Sequence, residues 1–563
     1  MQNIITNNFK TQIAKSLESD FSDPTRSIYF FYGRPLAWEN EPNPPTLTPS
    51  NLVENATKSN ILALKKINDR DLILGVTKYT WTSGTSYAEY SNLEDMAGTA
   101  FYVITDDNRV YKCLDNGSGL DGVANESTVK PEHTDGIEKL ADGYIWQYMF
   151  RVSDPINRKF TADQYIPIDV NDPINQNTAL AAVPGTITKI KISSGGAGYY
   201  IQDDAGDYFD DIPLYILGNG TENASGKIRI TSITAQGSIN TLNSYPVTGL
   251  PGAGYDITDV GAEYQIDENQ WSAVLIRQIS SLTNVNAANQ FEYAYGIAKI
   301  GATGTIETMR IVDPGKGFTL GEAEVVQSSC MAFAKIDANG SIISTNIPGF
   351  WGQNFTTASV VVVSDRNLQT FVAAELTPVL SPPAGHASNP ETELISTSLL
   401  FNMRIAYEEL GGDFAASNDF RSVGLIQNVE YQYEDANGQI QKNISTQLTL
   451  SATTDITLTT DIDPNDFSAD STITGIVSGA KGTIVEVLNN RIIRVIRDIE
   501  SSNTVPFILN EGVITTDGGN GLIASVAIPE YAPFSGDIML INNREAIQRS
   551  NDQIETINFI LNL

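Results

Sequence analysis

Histidine and cysteine are almost missing from this chain of 563 residues, with two of each, and bases number 35 against 67 acids. Cys113 and Cys330 stand far apart in the chain and cannot make a disulfide framework, so assembly in a reducing cytoplasm is expected. A formal net charge of -32 repels polyanions unless a basic stripe offsets it, and the nearest approach, LALKKINDR, is cancelled by Asp69 and Asp71. No run reaches the roughly 18 apolar residues that a bilayer span needs. Neither nucleic acid nor a membrane is therefore an expected partner. The opening stretch, MQNIITNNFKTQIAKSLESDF, lacks the apolar centre of a signal peptide; Ile5, Phe9, Ile13 and Leu17, four apart, predict an amphipathic helix instead.

Scarce histidine also removes most catalytic and metal chemistry. His133 (PEHTDG) and His386 (AGHASNP) both lie in turn-like segments, and a His-centred triad or a two-His metal site would need those loops to converge. His386 reads as a loop residue hydrogen-bonded to backbone. Nucleophile-elbow, P-loop and HExxH patterns are all missing, and the glycine-rich turns lie between strands rather than before a helix. Two acid-rich loops, Asp203, Asp204, Asp207, Asp210, Asp211 and Asp461, Asp463, Asp466, Asp470, raise the question of calcium. The second puts Asp466 where an EF-hand needs glycine and Thr472 where it needs glutamate, so both read as solvated acidic loops. No catalytic, cofactor-binding or metal residue is assigned, and the chain reads as a non-enzyme. Tyr32, Trp38, Trp81, Tyr87, Tyr90 and Trp146 would suit a sugar groove, but in strands such residues more often anchor cores and interfaces. Trp146 alternates with Tyr144, Tyr148 and Phe150, which places all four on one expected face.

What is present is apolar sequence enough, at 41%, for several packed cores, and the length suggests roughly three to four domains. The patterning predicts an α+β chain, predominantly antiparallel β: a β-sandwich core domain with flanking helices, interrupted by inserted β-rich modules. Residues 1–180 would form the first part of that core. Strands are expected at SIYFFYG, Leu72–Tyr79, Ala100–Ile104, Arg109–Leu114 and Tyr144–Val152, and a second helix around Asn51–Lys66. Residues 181–392 would be an inserted repeat region, 393–440 the core continued, 441–529 a second inserted β domain, and 530–563 closing strands. In those last residues Ile538 and Leu540 precede an expected Asn542-Asn543 turn, and Ile557, Phe559 and Leu561 alternate with polar partners, as in a docked terminus. Asp537, Arg544, Arg549 and Glu555 read as partners for one another and for turn backbone.

The inserted region carries an internal echo. A Gly-Thr/Ser-Ile triplet starts at Gly185, Gly237, Gly304 and Gly340, and each is followed by a glycine-bearing turn closed by an aromatic, at Tyr199, Tyr255, Phe318 and Phe355. This predicts a degenerate repeat of one β unit, with the aromatic folded over its own hairpin end.

Five short blocks occur in order: Tyr32, Gly33, Arg34 and Trp38; Val110, Tyr111, Cys113, Leu114 and Asp115; Asp142, Gly143, Tyr144, Trp146, Tyr148 and Phe150; Phe420, Arg421 and Ile426; then Gly536, Asp537, Asn543, Arg544, Gln553 and Glu555. Through them the chain resembles the baseplate wedge subunit of T-even-like contractile-tailed phages, the gene-product-eight family. The likeness covers about residues 1–175, 395–440 and 530–563, and the two β insertions match nothing in it. It implies a non-enzymatic virion protein of the tail baseplate, a β-sandwich with helices on its flank. Such a protein forms a two-fold homodimer in each of six wedges, beside wedge-core and fibre-bearing subunits, and needs no cofactor. On this expectation the chain bridges wedge proteins while the baseplate changes shape before sheath contraction. The competing reading is a β-rich tail receptor-binding or polysaccharide-cleaving protein.

Overall fold

The computed structural model describes residues 6–34, 37–46, 50–202, 208–209, 211–243, 271–278, 291–300, 306–366, 369–406, 419–497, 505–548 and 554–563. Strand outweighs helix, 46% to 10%, and the pairing is antiparallel throughout the named strands, which makes this a β-rich α+β fold. The chain divides into two compact units, Met1–Gly75 with Thr397–Leu563, and Val76–Ser396. The division thus falls at Gly75 rather than near residue 180. Residues after Val76 join the repeat region that follows them because Lys189 of strand Ile187–Ser194 reaches Asp115 at 2.7 Å and Glu89 at 3.2 Å, and Lys191 reaches Glu94.

In the first unit, strand Ile28–Gly33 pairs with Ile61–Lys66 on one side and with Asp419–Gln427 on the other, and Asp419–Gln427 pairs in turn with Asp537–Gln548. Opening, middle and closing parts of the chain therefore share one sheet. Its strand IYFFYG is apolar at every position because both faces are covered: Ile28, Phe30 and Tyr32 enter one cluster, Tyr29 and Phe31 another. Across the first cluster stands a second sheet, in which Ser398–Ala406 lies between Ile554–Asn562 and Leu72–Thr77. Leu399, Phe401, Met403 and Ile405 alternate inward, and the Phe559 ring stacks on Phe401 at 4.3 Å and on Phe30 at 6.1 Å. The helix Asn7–Ser22 covers the cluster with Ala14, Leu17 and Phe21, while Phe9 points to solvent; Ile5 lies outside the described residues.

Two expectations fail in this unit. The helix beginning at Asn51 stops at Ser59, and ILALKK runs as a strand because its pairing with Ile28–Gly33 and Thr449–Ser451 satisfies both backbone edges. Asn542 and Asn543 do not turn. They sit inside the strand Asp537–Gln548, opposite Val423 and Ser422.

The second inserted β domain is a closed six-stranded barrel, in the ring order Thr454–Leu458, Ile492–Arg497, Lys481–Asn489, Thr472–Gly475, Gly512–Thr515 and Asn520–Ala527. Ile456, Ile473, Ile484, Ile493, Val495, Val513 and Ile523 fill it. Val485 and Ile496, alternating outward, join the main cluster of the first unit.

The repeat is real in the second unit, but its parts join crosswise. Gly340 meets the Tyr199 turn, Gly185 the Phe355 turn and Gly237 the Phe318 turn, so all three aromatics dock on triplets of other repeats. Three bonds recur with the same offsets. Each aromatic N–H donates to the triplet glycine carbonyl: Tyr199 to Gly340 at 3.1 Å, Phe318 to Gly237 at 2.9 Å, Phe355 to Gly185 at 3.3 Å. The residue before each aromatic donates to the carbonyl before the triplet: Gly198 to Asn339, Gly317 to Gln236, Asn354 to Pro184. Each triplet isoleucine donates to the carbonyl four residues ahead of the aromatic: Ile342 to Gly195, Ile239 to Pro314, Ile187 to Trp351. Tyr255 and Gly304 lie outside the described residues.

Glycine is required at the triplet on two counts. Gly340, at φ 72°, would place a Cβ 2.4 Å from the Tyr199 carbonyl oxygen, and Gly185, at φ 66°, one 2.1 Å from the Phe355 nitrogen. Gly84 has a similar φ of 82° with nothing near it, which separates strain from collision. Gly84→Ala should cost about 1–3 kcal/mol of backbone strain, and Gly340→Ala should cost more by at least about 2 kcal/mol. Urea unfolding midpoints of the two variants check this.

Candidate functional site

A cluster of buried ionisable groups in the second unit surrounds Lys112. Strand Arg109–Asp115 carries it inward between Tyr111 and Cys113, and its side chain is 0% exposed, with Glu393 at 3%. Lysine is almost never enclosed without a counter-charge. Its ammonium pairs with Glu393 Oε2 and lies 4.8 Å from the centre of the Tyr90 ring. Glu393 belongs to a single helical turn, Pro390–Glu393, started by Asn389, whose side chain accepts from Thr392 N–H. The loop before that turn folds back over the carboxylate, which accepts from Ala387 N–H at 3.0 Å and Asn389 N–H at 3.1 Å. Burial lowers the pKa of Lys112, and Glu393 works against that shift.

His386 closes the group, edge-on to Tyr90 at 5.3 Å. Burial, then the nearby ammonium, holds its pKa well below the ordinary value, so the imidazole is neutral. Contrary to expectation its Nδ1 makes no hydrogen bond to backbone or to any other group. Enclosure beside Lys112 explains this, because the folded loop commits its N–H groups to Glu393.

His386 also lines a cavity of about 580 Å³, with Asp135, Gln147, Thr178, Thr186 and Trp351 among its other walls. Thr186 Oγ1 is buried and without a partner there. The arrangement offers hydrogen bonds around a half-open space but not an activated nucleophile. Cys113, enclosed in the same sheet, has its thiol pushed well up by burial, which keeps it protonated and inert. His133 packs on Tyr111, with Nδ1 2.9 Å from Glu138 Oε2.

The acids of the second acid-rich loop go to separate partners. Asp461 pairs with Arg491 at 2.7 Å, Asp463 caps its own turn through Asn465 N–H, and Asp470 pairs with Arg34. Asp203, Asp204, Asp207 and Asp210 lie outside the described residues. Among the described residues no group of three or more His, Cys, Asp or Glu is placed to hold a metal ion. Of the aromatic set, Tyr32 and Trp146 are fully buried and line no groove; Tyr32 and Trp38 belong to the first unit, Trp81, Tyr87, Tyr90 and Trp146 to the second. Tyr144, Trp146 and Tyr148 do share one cluster, but Phe150 joins another, because the strand pairing shifts register between Val110 and Tyr111.

The described residues of the five blocks that follow serve the fold. Tyr32 packs on Phe420 at 5.5 Å, and a Cβ on Gly33 would stand 2.9 Å from the Asn60 carbonyl. Arg34 donates to Asp419 at 2.7 Å; Arg421 pairs with Asp419 at 2.7 Å and with Glu41 at 2.8 Å; Trp38 Nε1 donates to the Arg544 carbonyl at 3.0 Å. In the second unit Tyr111, Cys113, Tyr144 and Trp146 are core, Asp142 accepts from Thr128 and Val129 N–H at 2.9 Å, and Gly143 turns at φ 91°. Gly536 turns at φ 81° beside Asp537, which accepts from Asn428. Glu555 is buried; Gln553 and Arg549 lie outside the described residues. Arg544 does not join Asp537, since its Nε is buried without a partner and burial lowers its pKa.

The Lys112–Glu393 pair escaped the sequence reading, although a lysine inside VYKCL was a visible signal for a buried counter-ion. Compared with models of known families and with curated proteins, the chain matches none.

Glu393→Ala strips a fully enclosed ammonium of its partner and should cost about 3–5 kcal/mol, whereas Lys112→Met with Glu393→Leu should recover most of it. Denaturant titration of the three proteins decides. As pH falls below about 6.5, the unfolded chain takes a proton at His386 that the folded chain refuses, so stability should drop by up to about 1.4 kcal/mol per pH unit. His386→Gln should flatten that slope, leaving the part due to His133, whose pKa burial also lowers; unfolding at pH 7 and pH 5 measures it.

Proposed function

We propose that this chain is a structural subunit of a phage tail baseplate wedge, a bracket that joins neighbouring wedge proteins as a dimer and acts by shape and packing. One observation carries the reading. The Arg34, Asp419, Arg421 and Glu41 network, with Trp38 bonded to the Arg544 carbonyl, gathers three of the five blocks into one place, although they are remote in sequence. Motifs that meet in this way are the parts of a common scaffold. Two buried lysines of the second unit are likewise spent on internal partners, Lys112 on Glu393 and Lys189 on Asp115 and Glu89. Burial would lower the pKa of Lys189, but those carboxylates hold it above the ordinary range.

Co-expression with wedge-core and fibre-bearing subunits of a contractile tail tests the proposal. The chain should enter a stable complex with them, and incubation with capsular polysaccharide should release no reducing ends. Failure to associate, or release of sugar, counts against it.

A further inference from the structure

The barrel is held to the rest of the first unit on one side and left bare on the other. Val485 and Ile496, from two adjacent strands of the ring, join the core of that unit, and Asp470 pairs with Arg34. Diametrically across the ring lie Gly512–Thr515 and Asn520–Ala527. Their register puts Gly512 opposite Leu522, and Ile476 N–H bonds to the Gly512 carbonyl, which sets Ile476, Ile514 and Leu522 around one bare glycine on the outer face. They are 62%, 48% and 44% exposed.

At the end of this face two loops add three further aliphatic side chains, Val477, Ile508 and Leu509. Glu511, 1% exposed, accepts from Val477 and Ser478 N–H through Oε2, and from Ile508 N–H and Ser478 Oγ through Oε1. One enclosed carboxylate thus clamps both loops while Val477 stands 73% and Leu509 60% exposed, with Ile508 at 42%. A merely solvated loop has no use for such a clamp. Among the described residues, 471–480, 505–516 and 519–529 hold no ionisable side chain but the buried Glu511, and charge returns at the rim with Lys481 and Asp517.

We infer that this barrel face is the surface through which two copies of the chain meet. Each copy carries a net charge of -32, so like-charge repulsion opposes approach except where ionisable groups are missing. An aliphatic patch is self-complementary and needs no opposite charge, as a two-fold contact requires. A lipid surface is disfavoured, because the loops carry no basic residues to meet head groups. The six side chains offer roughly 500 Å² per copy, less than the about 800 Å² of an ordinary stable partner surface, so a polar rim completes the contact. The inference rests on the dimeric bracket reading and names the face that it leaves open.

Sedimentation velocity of the full chain at micromolar concentration should show a dimer. Val477→Asp with Leu509→Asp should weaken it at least tenfold without changing the thermal unfolding temperature, since both side chains are exposed. Ile440→Asp, at another exposed aliphatic of the first unit, should leave the dimer intact. A dimer that survives the double substitution, or is lost equally in Ile440→Asp, overturns the inference while wedge association still stands. A wild-type monomer overturns it together with the dimeric part of the bracket reading.

Discussion

The first unit depends on one chain of pairings: Ile28–Gly33 beside Asp419–Gln427, and that strand beside Asp537–Gln548. Side chains on both faces of Ile28–Gly33 are buried, so a slip of one residue would exchange its two clusters and empty the fit of each. Everything between Gly75 and Thr397 is a loop closed by this register. Closure entropy grows only slowly with loop length, which is why a whole second unit fits between paired strands.

Inside the second unit a different constraint governs. The triplet and the aromatic turn form a docking joint made of backbone, and the same three bonds serve it at three places with different side chains. Left-handed residues at fixed positions, Gly196 and Gly198, Gly315 and Gly317, Gly352 and Asn354, shape the receiving turn. Because recognition is by backbone, sequence can drift everywhere else, and the repeat stays degenerate to the eye.

Pattern alone was enough for several elements. The alternation of Ile557, Phe559 and Leu561 and the glycine-aromatic echo are both present in the fold, because each is a local signal; the β barrel begins only at Thr454, since Thr449–Ser451 still pairs with Ile61–Lys66. What failed needed distant partners. ILALKK has the composition of a helix end, and only its two neighbours in the sheet make it a strand. Crosswise docking of Gly340 on Tyr199 is equally silent in the sequence, where each triplet stands next to its own aromatic. For the candidate site, Lys112 was visible as a charge in an apolar strand, but Glu393 lies in a loop 281 residues away. Its role emerges only when the turn at Asn389 folds over it.

The order of synthesis gives the long-range pairing one more consequence. Ile28–Gly33 leaves the ribosome early, yet its neighbour Asp419–Gln427 follows only after the whole second unit has been made, roughly 20 s to over a minute later at ordinary elongation rates. Throughout that interval one of the most apolar strands of the chain has an uncovered edge. Chaperone occupancy on the nascent polypeptide should therefore be greatest around Ile28–Gly33, and last until Asp419–Gln427 emerges.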